Sequence, residues 1–377
     1  MWIERLALTN FRNHGSLILV LDSRPVVLTG PNGAGKTNIL EAISLLAPGQ
    51  GLRRSLYAEM AKAGGAGVWA VAATVRTAHD SIAIGTGLTG ESGDRAGRIV
   101  RINGENQSGP SALADRVEML WVTPAMDGLF RGPASERRRF LDRLVVCFDR
   151  SYRTRVGHFE RAMRQRNRLL EDGVRDGARF DGLEMIMAEA GVAIAAARAE
   201  AVTGLETMIA ERRARTPDSP FPWAQLQLEG RLERDLARRP AVDVEDAYIV
   251  DLRSGRDRDR AAGRALEGPH RSDLAVVHGP KGMPAHVCST GEQKALLVGL
   301  VLAHAELERQ RREGAAPILL LDEIAAHLDK KRRDTLYAEI IRLGCQAWMT
   351  GTDESAFDGI VNDAQFIMLP EPALSAT

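Results

Sequence analysis

The chain has 377 residues, which is enough for one large domain or two closely associated ones with an extensive core. Its 50 basic and 50 acidic side chains cancel, so binding to nucleic acid or membrane would need a local charged patch. Three scattered cysteines exclude a disulfide framework and a cysteine zinc site. No signal-peptide core and no run of ~18 apolar residues is visible, and we therefore expect a cytoplasmic protein.

The first part of the chain predicts a strand pair that leads into a glycine-rich loop. Apolar or alternating runs over residues 2–9 and 16–21 flank a polar turn. A short apolar run at 25–29 reads as a buried strand, and residues 38–46 read as a helix. Between them lies the sequence GPNGAGKT, at residues 30–37. Strand, glycine loop and helix is the order in which a phosphate-binding loop is built.

The residue types of this loop suit a nucleoside triphosphate. Glycines let consecutive backbone amides turn toward a phosphate, and the helix N-terminus adds partial positive charge. The Lys36 ammonium can reach the β and γ phosphates, and the Thr37 hydroxyl can hold magnesium. The candidate ligand-binding residues are Gly30, Pro31, Asn32, Gly33, Ala34, Gly35, Lys36, Thr37 and Asn38. A chance glycine turn before a helix is the alternative, which the flanking strand and helix disfavour.

Strand patterns dominate the next segment. Residues 68–76, 81–85 and 98–102 predict an antiparallel meander around the glycine-rich turn at 85–97. A helix is predicted over 113–118, and a buried strand follows directly and stops at a proline. This segment therefore predicts a β-rich continuation of the first lobe.

A mainly helical insert is predicted from Ala134 to about Arg264, with breaks at 173–182 and at the prolines after Thr216. Neither a heptad repeat nor a long uninterrupted helix is predicted, so we expect no coiled-coil arm. Residues 131–168 contain twelve arginines against four acidic residues. This excess is either a solvated helix face or a track for DNA phosphates, and the candidates for DNA contact are Arg137, Arg138 and Arg139.

A second anion site is predicted near the C-terminal end. Residues 273–278 and 285–288 flank a Gly-Pro turn and predict a hairpin. Ser289, Gly291 and Glu292 then precede a helix predicted over 294–312. A hydroxyl, a glycine amide and a helix N-terminus together can bind an anion, although alone they would also make an ordinary helix cap.

Two carboxylates follow an apolar run. Residues 318–321 read as a buried strand, which ends in Asp322 and Glu323. In a phosphate-loop protein the first carboxylate belongs on magnesium and the second can polarise the water that attacks the γ phosphate. The alternative is a strand end with two solvated acids. One more short strand is predicted at 347–350, and it ends in the polar Thr350.

The order of these motifs resembles the ATP-binding-cassette class of ATPases, in which the signature of one subunit closes over the nucleotide of the other. Individual motifs are similar to the RecF family of bacterial recombination mediators. They lie at residues 8–13, 30–43, 132–142, 268–274 and 319–329. The resemblance covers nearly the whole chain.

This resemblance implies an α/β ATPase head with a mixed sheet and an inserted helical lobe, without a long coiled coil. Lobe I would comprise residues 1–124 and 313–377, and lobe II residues 125–312. It also implies ATP and Mg²⁺ as cofactors, an ATP-dependent homodimer and slow hydrolysis. The implied partners are gapped or single-strand/double-strand junction DNA, RecR and RecO, with RecA loaded as the indirect result.

The family's site residues carry over to matching positions. Lys36 and Thr37 would bind phosphate and magnesium, Asp322 would bind the metal, and Glu323 would be the catalytic base. Ser289, Gly291 and Glu292 would meet the nucleotide of the other subunit. Further nucleotide neighbours would be Arg12, Asn13 and Arg53.

Some positions depart from the family pattern. Glu292 stands where glutamine is expected, and His327 stands where a small polar residue is commoner. The usual switch histidine is replaced around Thr350, and no glutamine can be given to a Q-loop. Weak hydrolysis would follow, with ATP acting more as a dimer clamp than as fuel.

Three other functions share parts of this pattern. An ATPase subunit of a transporter shares the nucleotide chemistry, but it leaves the arginine-rich insert and residues 268–271 unexplained. A repair ATPase with long arms is disfavoured by the short insert. A small-molecule kinase would not need the signature or the late pair Asp322 and Glu323.

Overall fold

The computed structural model describes residues 1–77, 80–88, 97–114, 116–149, 151–326 and 328–371. His327 and most of the predicted glycine-rich turn lie outside these ranges. In chain order, the strands are β1 (Trp2–Phe11), β2 (His14–Val20), β3 (Val26–Thr29), β4 (Trp69–Arg76), β5 (Ser81–Leu88), β6 (Ile99–Ile102), β7 (Glu105–Asn106), β8 (Met119–Val122), β9 (Ala224–Glu229), β10 (Asp273–His278), β11 (Met283–Pro284), β12 (Ile318–Leu321), β13 (Ala347–Thr350) and β14 (Gln365–Met368). The α-helices are α1 (Lys36–Ser44), α2 (Ala134–Phe148), α3 (Tyr152–Glu171), α4 (Ala178–Arg215), α5 (Arg231–Leu236), α6 (Ala241–Ser254), α7 (Arg256–Ala262), α8 (Thr290–Arg311) and α9 (Lys330–Leu343).

The chain divides into two compact units. The first comprises Met1–Asp127, Thr216–Pro222 and Ser289–Thr377, and the second comprises Gly128–Arg215 and Trp223–Cys288. The sequence-based division placed the signature helix in the second lobe, whereas α8 lies in the first unit. It does so because its largely apolar surface is buried and packs against β8 and α9. The phosphate loop and the signature are therefore parts of one unit.

A five-stranded parallel sheet carries the site in the first unit. Its strand order is β14-β3-β13-β12-β8, and every adjacent pair is parallel. All residues of β3, β12 and β13 are buried, which explains their continuous apolar sequences. Since the carboxyl ends of parallel strands meet at one edge, the residues after β3, β13 and β12 come together there.

The second sheet of this unit is antiparallel, with the strand order β2-β1-β4-β5-β6-β7. The predicted strand pair and meander are confirmed, and burial alternates along β4 as expected for a sheet with one covered face. The helix predicted over 113–118 is wrong. A short 3₁₀ turn at Pro110–Leu113 stands there instead, begun by a proline at the first helical position.

The second unit is mainly helical, as predicted, but two of its elements differ from the prediction. The expectation of no long uninterrupted helix is wrong, because α4 runs for 38 residues. Its alanine-rich middle keeps the helix continuous, and α4 packs against α3, α6 and β9 within the unit.

The strand β9 was missed, since its short alternating pattern follows a proline-rich break. It completes a small sheet with the order β11-β10-β9. The predicted hairpin is present, although its second strand is only Met283–Pro284, and a 3₁₀ turn at Ala285–Val287 follows. Among the residues that the structure describes, no helix combines the length and the apolar composition that a membrane crossing requires.

Candidate nucleotide-binding site

The glycine loop connects β3 to α1 in a conformation that needs its glycines. Gly30 has a φ of 134°, and a Cβ there would lie 2.5 Å from the carbonyl oxygen of Leu369. Gly35 caps α1 with a φ of 97°, and its Cβ would meet the side chains of Asn13 and His14. Both positions therefore exclude a side chain by backbone conformation and by close approach.

Lys36 is held against the backbone of the loop. Its side chain is almost fully buried, and Nζ donates hydrogen bonds to the carbonyl oxygens of Gly30 at 2.6 Å and Pro31 at 2.9 Å. Burial lowers the pKa of Lys36, while the carboxylates of Glu323 and Asp322 act in the opposite direction. An anionic phosphate at this position would restore the favourable environment of the ammonium group.

Asp322 binds two side chains that lie at the ends of neighbouring strands. Its Oδ1 accepts hydrogen bonds from Thr37 Oγ1 at 2.9 Å and from Thr350 Oγ1 at 2.8 Å. Thr37 follows β3, Thr350 ends β13 and Asp322 follows β12, so the strand order places the three side chains side by side. Thr350 Oγ1 also accepts a hydrogen bond from the backbone N–H of Glu323 at 2.8 Å.

The donor set fits a magnesium ion. The Thr37 hydroxyl and the Asp322 carboxylate are oxygen ligands held within hydrogen-bond distance of each other. Among the described residues, no group of three or more histidine, cysteine, aspartate or glutamate side chains could form a metal cage. Magnesium bound here would use a few protein oxygens together with phosphate and water, which is the arrangement it prefers.

Glu323 differs from Asp322 in its surroundings. Its side chain is exposed, whereas Asp322 is buried. Its backbone has a φ of 49°, in the left-handed region that residues with side chains rarely adopt. The structure thus places a buried carboxylate, Asp322, in contact with Thr37, and an exposed carboxylate, Glu323, at the next position.

The predicted nucleotide neighbours surround the start of α1. Asn38 donates to Asn13 Oδ1 at 2.7 Å, and Asn13 donates to the Gly33 carbonyl oxygen at 3.4 Å. Arg12 binds Glu41 with two hydrogen bonds, at 2.8 and 2.7 Å. Arg53 donates to Asn38 at 2.8 Å and to Glu41 at 3.2 Å. These three residues therefore brace the loop helix, whatever further contact they make with a nucleotide.

Sequence reasoning missed Glu41 as the centre of this cluster. Its carboxylate is fully buried although it lies in an otherwise apolar helix. A charged residue on a buried helix face was the available signal, because such a residue needs a cationic partner. His14 was also missed: its Nε2 lies 3.2 Å from the Gly35 carbonyl oxygen, and burial lowers its pKa.

The signature begins α8 with a complete capping box. The Ser289 hydroxyl accepts from the N–H of Glu292, and the Glu292 carboxylate accepts from the N–H of Ser289 at 3.0 Å. Glu292 therefore has a local structural role in capping α8. Ser289 is exposed and Gly291 is partly exposed, so both are accessible at the helix N-terminus.

The three candidate DNA contacts lie in α2 of the second unit and have different surroundings. Arg137 binds both carboxylate oxygens of Asp273, at 2.8 and 2.6 Å, and Arg138 donates to the Ser272 carbonyl oxygen at 2.6 Å. The Asp273 hydrogen bonds raise the pKa of Arg137. Arg139 is exposed. The first two arginines thus hold α2 to the first residue of β10 and to the residue before it, and this role was not predicted.

Known proteins match this chain over nearly its whole length. A family model described as the RecF/RecN/SMC N-terminal domain matches residues 2–361. The protein named DNA replication and repair protein RecF from Mesorhizobium japonicum is 53% identical and covers 100% of this chain and 98% of the relative. The protein of the same name from Agrobacterium fabrum is 50% identical, with coverage of 99% and 98%.

Solved structures give the same fold. A structure of the recombination mediator protein RecF-ATPrS has a TM-score of 0.83 at 21% identity, and the match covers 98% of this chain and 97% of that one. An SMC head bound to the C-winged helix domain of ScpA has a TM-score of 0.57 at 16% identity, with coverage of 98% and 94%. The predicted α/β ATPase head is confirmed as the fold. The full-length relatives and the family model show that this chain belongs to the RecF family of DNA replication and repair proteins.

Proposed function

We propose that this chain is an ATP-dependent DNA-binding protein of recombinational gap repair and replication restart. ATP binding would join two copies on gapped or single-strand/double-strand junction DNA, and slow, DNA-stimulated hydrolysis would release them. One observation carries the proposal: the adjacent pair Asp322 and Glu323 lies at the phosphate loop, where Asp322 binds Thr37, although 285 positions separate Thr37 from Asp322 in the chain.

The proposed ATP site gives each residue a separate task. The amides from Gly33 to Thr37 and the Lys36 ammonium would hold the phosphates, and Thr37 with Asp322 would hold magnesium. A bound magnesium ion would neutralise charge on the β and γ phosphates. The exposed carboxylate of Glu323 would orient and polarise the attacking water.

Dimerisation is proposed because the signature presents an accessible helix N-terminus. The Gly291 amide and the Ser289 hydroxyl, which donates to Glu292 Oε2 at 2.9 Å in this structure, stand at the N-terminus of α8, where the helix dipole favours an anion. ATP held by a second copy would supply that anion, so nucleotide and dimer would stabilise each other by mass action. Glu292 would support this contact through the capping box.

The biological setting is proposed from the relatives. Their name is DNA replication and repair protein RecF, and one solved relative is placed in the RecFOR pathway. We propose RecR and RecO as partners, RecA loading as the outcome, and the cytoplasmic nucleoid as the location. The transporter and kinase alternatives lose support, because the full-length relatives are repair proteins.

A DNA-binding titration tests the proposal. Gapped, single-stranded and duplex DNA are compared with and without ATP and Mg²⁺, each at two salt concentrations. We expect ATP to strengthen binding to gapped DNA most, together with a shift of the protein to dimers in sedimentation. Binding that is equal for all three DNAs and independent of ATP would overturn the proposal.

A further inference from the structure

The backbone of Glu323 is held in an unfavourable conformation. Its φ of 49° belongs to the left-handed region, where the side chain of an L-residue crowds the backbone. Such a residue keeps this conformation only where neighbouring groups enforce it, and enforced residues of this kind concentrate at functional sites. The groups that hold the backbone of Glu323 therefore also set the position of its carboxylate.

Two side chains and one backbone amide bind the backbone polar groups of Glu323. The N–H donates to Thr350 Oγ1 at 2.8 Å, and the carbonyl oxygen accepts from Lys294 Nζ at 3.1 Å and from the N–H of Ala326 at 3.1 Å. Thr350 comes from the parallel sheet, whereas Lys294 comes from α8. The conformation that directs the Glu323 carboxylate thus depends on a strand, on a helix and on the turn that follows Glu323.

Lys294 is an unusual residue for its position. Its side chain is 2% exposed, and burial lowers its pKa, against the influence of Asp127, Glu323 and Asp322. Lysine is rarely buried unless its ammonium group has partners. Here Nζ lies within hydrogen-bond distance of the Glu323 carbonyl oxygen, and Asp127 Oδ2 lies farther away, at 3.9 Å. The closer contact is therefore with the backbone of the proposed catalytic residue.

The same helix carries the signature. Lys294 follows the exposed Ser289 by about one and a half helical turns, with the capping box between them. A ligand that binds Ser289 contacts the N-terminus of α8. The same helix carries the buried Lys294, whose ammonium group binds the Glu323 carbonyl oxygen. A small displacement of α8 would change the hydrogen bond to the Glu323 carbonyl and with it the direction of the carboxylate.

We propose that Lys294 is a positioning residue that couples the signature of each subunit to the catalytic carboxylate of that same subunit. The inference rests on the proposed function, in which Glu323 activates water and Ser289 meets the nucleotide of the second copy. Docking of a partner on Ser289 is then transmitted through α8 and Lys294 to Glu323. Lys294 acts on hydrolysis and leaves the binding of ATP to the phosphate loop unchanged.

The test compares Lys294→Met, which removes the donor, with Lys294→Gln, whose amide can still donate to the carbonyl oxygen. Asp127→Asn is the matched control, because it neutralises the more distant partner of Lys294 and keeps the Glu323 contact. We expect kcat to fall about tenfold in Lys294→Met with KM within about twofold of the wild type. Lys294→Gln should recover part of the loss, and Asp127→Asn should hydrolyse ATP at about the wild-type rate.

A double-substitution cycle separates positioning from a general structural role. If Lys294 acts through Glu323, Lys294→Met has little further effect on the residual hydrolysis of Glu323→Gln. Additive losses, an unchanged kcat in Lys294→Met, or a parallel loss of ATP binding in both Lys294 variants would each overturn the inference. If Lys294→Met does not fold, Lys294→Gln replaces it in the cycle. A wild-type chain that binds ATP without hydrolysing it would instead overturn the proposed catalysis itself.

Discussion

Thr37 and Asp322 are 285 positions apart in the chain, yet Thr37 Oγ1 donates a hydrogen bond to Asp322 Oδ1 at 2.9 Å. The contact exists because β3 and β12 are parallel and both end at the same edge of the sheet, on either side of β13. A hydroxyl from the phosphate loop and a carboxylate from the late strand therefore present their oxygens to one point. This pair is the proposed magnesium site.

Replacing Thr37 with valine should abolish the dependence of ATP binding on magnesium. Valine keeps the branched shape but has no hydroxyl, so the metal would lose one of its two proposed protein ligands. We expect ATP affinity with Mg²⁺ to fall to about the value measured with EDTA, a change of ~1–2 kcal/mol in binding free energy. Fluorescence titration with a labelled ATP measures both values.

Thr37→Ser is the matched control, because it keeps the hydroxyl. It should retain the difference between Mg²⁺ and EDTA. A Thr37→Val protein that still responds fully to magnesium would remove Thr37 from the metal site.

The separate parts of this site could be predicted from the sequence, but their connection could not. Lys36 and Thr37 belong to a short local motif, and Asp322 follows an apolar run, so each has a signal of its own. The hydroxyl of Thr350 has none, since its contact with Asp322 depends on β13 lying between β3 and β12. Strand order is set by packing across the whole unit, which residue patterns along the chain do not encode.

The second unit shows the same limit. The arginine-rich stretch is plain in the sequence, but Arg137 finds its carboxylate partner 136 positions later, in Asp273. Whether an arginine is a surface charge or an internal partner depends on that distant residue. Likewise, the length of α4 follows from its packing against α3, α6 and β9, which local breaks in the pattern concealed.

A bulky signature residue should separate nucleotide binding from dimerisation. Ser289→Arg places a large cation at the exposed start of α8 and blocks the approach of a second copy, while the phosphate loop of the same chain is unaltered. We expect ATP binding within about threefold of the wild type and no ATP-dependent dimer. Lys36→Ala should lose both properties. Equilibrium titration and sedimentation velocity measure them.

The loss of the cap must be distinguished from the steric block. Ser289→Ala removes the capping hydroxyl without adding bulk, so its melting temperature should fall as in Ser289→Arg, by the equivalent of ~1 kcal/mol. Some dimer should nevertheless form in Ser289→Ala.

Glu323→Gln should accumulate the dimer with ATP. An ATP-independent dimer in every variant would contradict the role of nucleotide in pairing.

The buried carboxylate of Glu41 makes Arg12 a structural partner. Glu41 is fully buried, and the side chain of Arg12 is 19% exposed, whereas that of Arg53 is 40% exposed. Removing Arg12 leaves a buried charge without its main partner, and we expect Arg12→Ala to lower the free energy of unfolding by ~3 kcal/mol. Arg53→Ala is the matched control and should cost under ~1 kcal/mol. Urea unfolding compares the two.

The same variants test the predicted contact of Arg12 with nucleotide. If Arg12 only braces α1, folded Arg12→Ala at low temperature should bind ATP nearly as well as the wild type. A large loss of affinity without a loss of stability would favour direct nucleotide contact.

The Arg137–Asp273 pair should make stability depend on pH in the acid range. Partial burial acts to raise the pKa of Asp273, but the hydrogen bonds and charge of Arg137 outweigh it, so the pKa is lowered. A lowered carboxylate pKa stabilises the fold above the unfolded value of about 4, and this contribution is lost as pH falls through the folded pKa. Thermal melts from pH 3 to pH 7 should therefore separate wild type from Asp273→Asn most clearly at neutral pH.

The difference between the two proteins should shrink toward pH 3. Asp172→Asn provides the control, because Asp172 is 59% exposed and lies 4.0 Å from Arg168. Such a surface pair contributes little, so its melting curve should match the wild type at every pH. A difference between wild type and Asp273→Asn that stays constant with pH would exclude a role for the charge of Asp273.

Among the three candidate arginines of α2, Arg139 is the one whose substitution tests DNA contact most directly. It is exposed, whereas Arg137 and Arg138 hold Asp273 and the Ser272 carbonyl oxygen within the second unit. A triple substitution would mix damage to the fold with loss of phosphate contacts.

Arg139→Ala alone removes one exposed positive charge and leaves the internal hydrogen bonds in place. If Arg139 binds a phosphate, Arg139→Ala lowers DNA affinity, and the negative slope of log K against log salt becomes less steep by ~0.9 for a duplex. Arg24→Ala is the matched control, since Arg24 is an exposed arginine outside residues 131–168 that lies beside Asp22. Equal salt slopes for wild type and Arg139→Ala would remove Arg139 from the DNA path and leave α2 with a structural role.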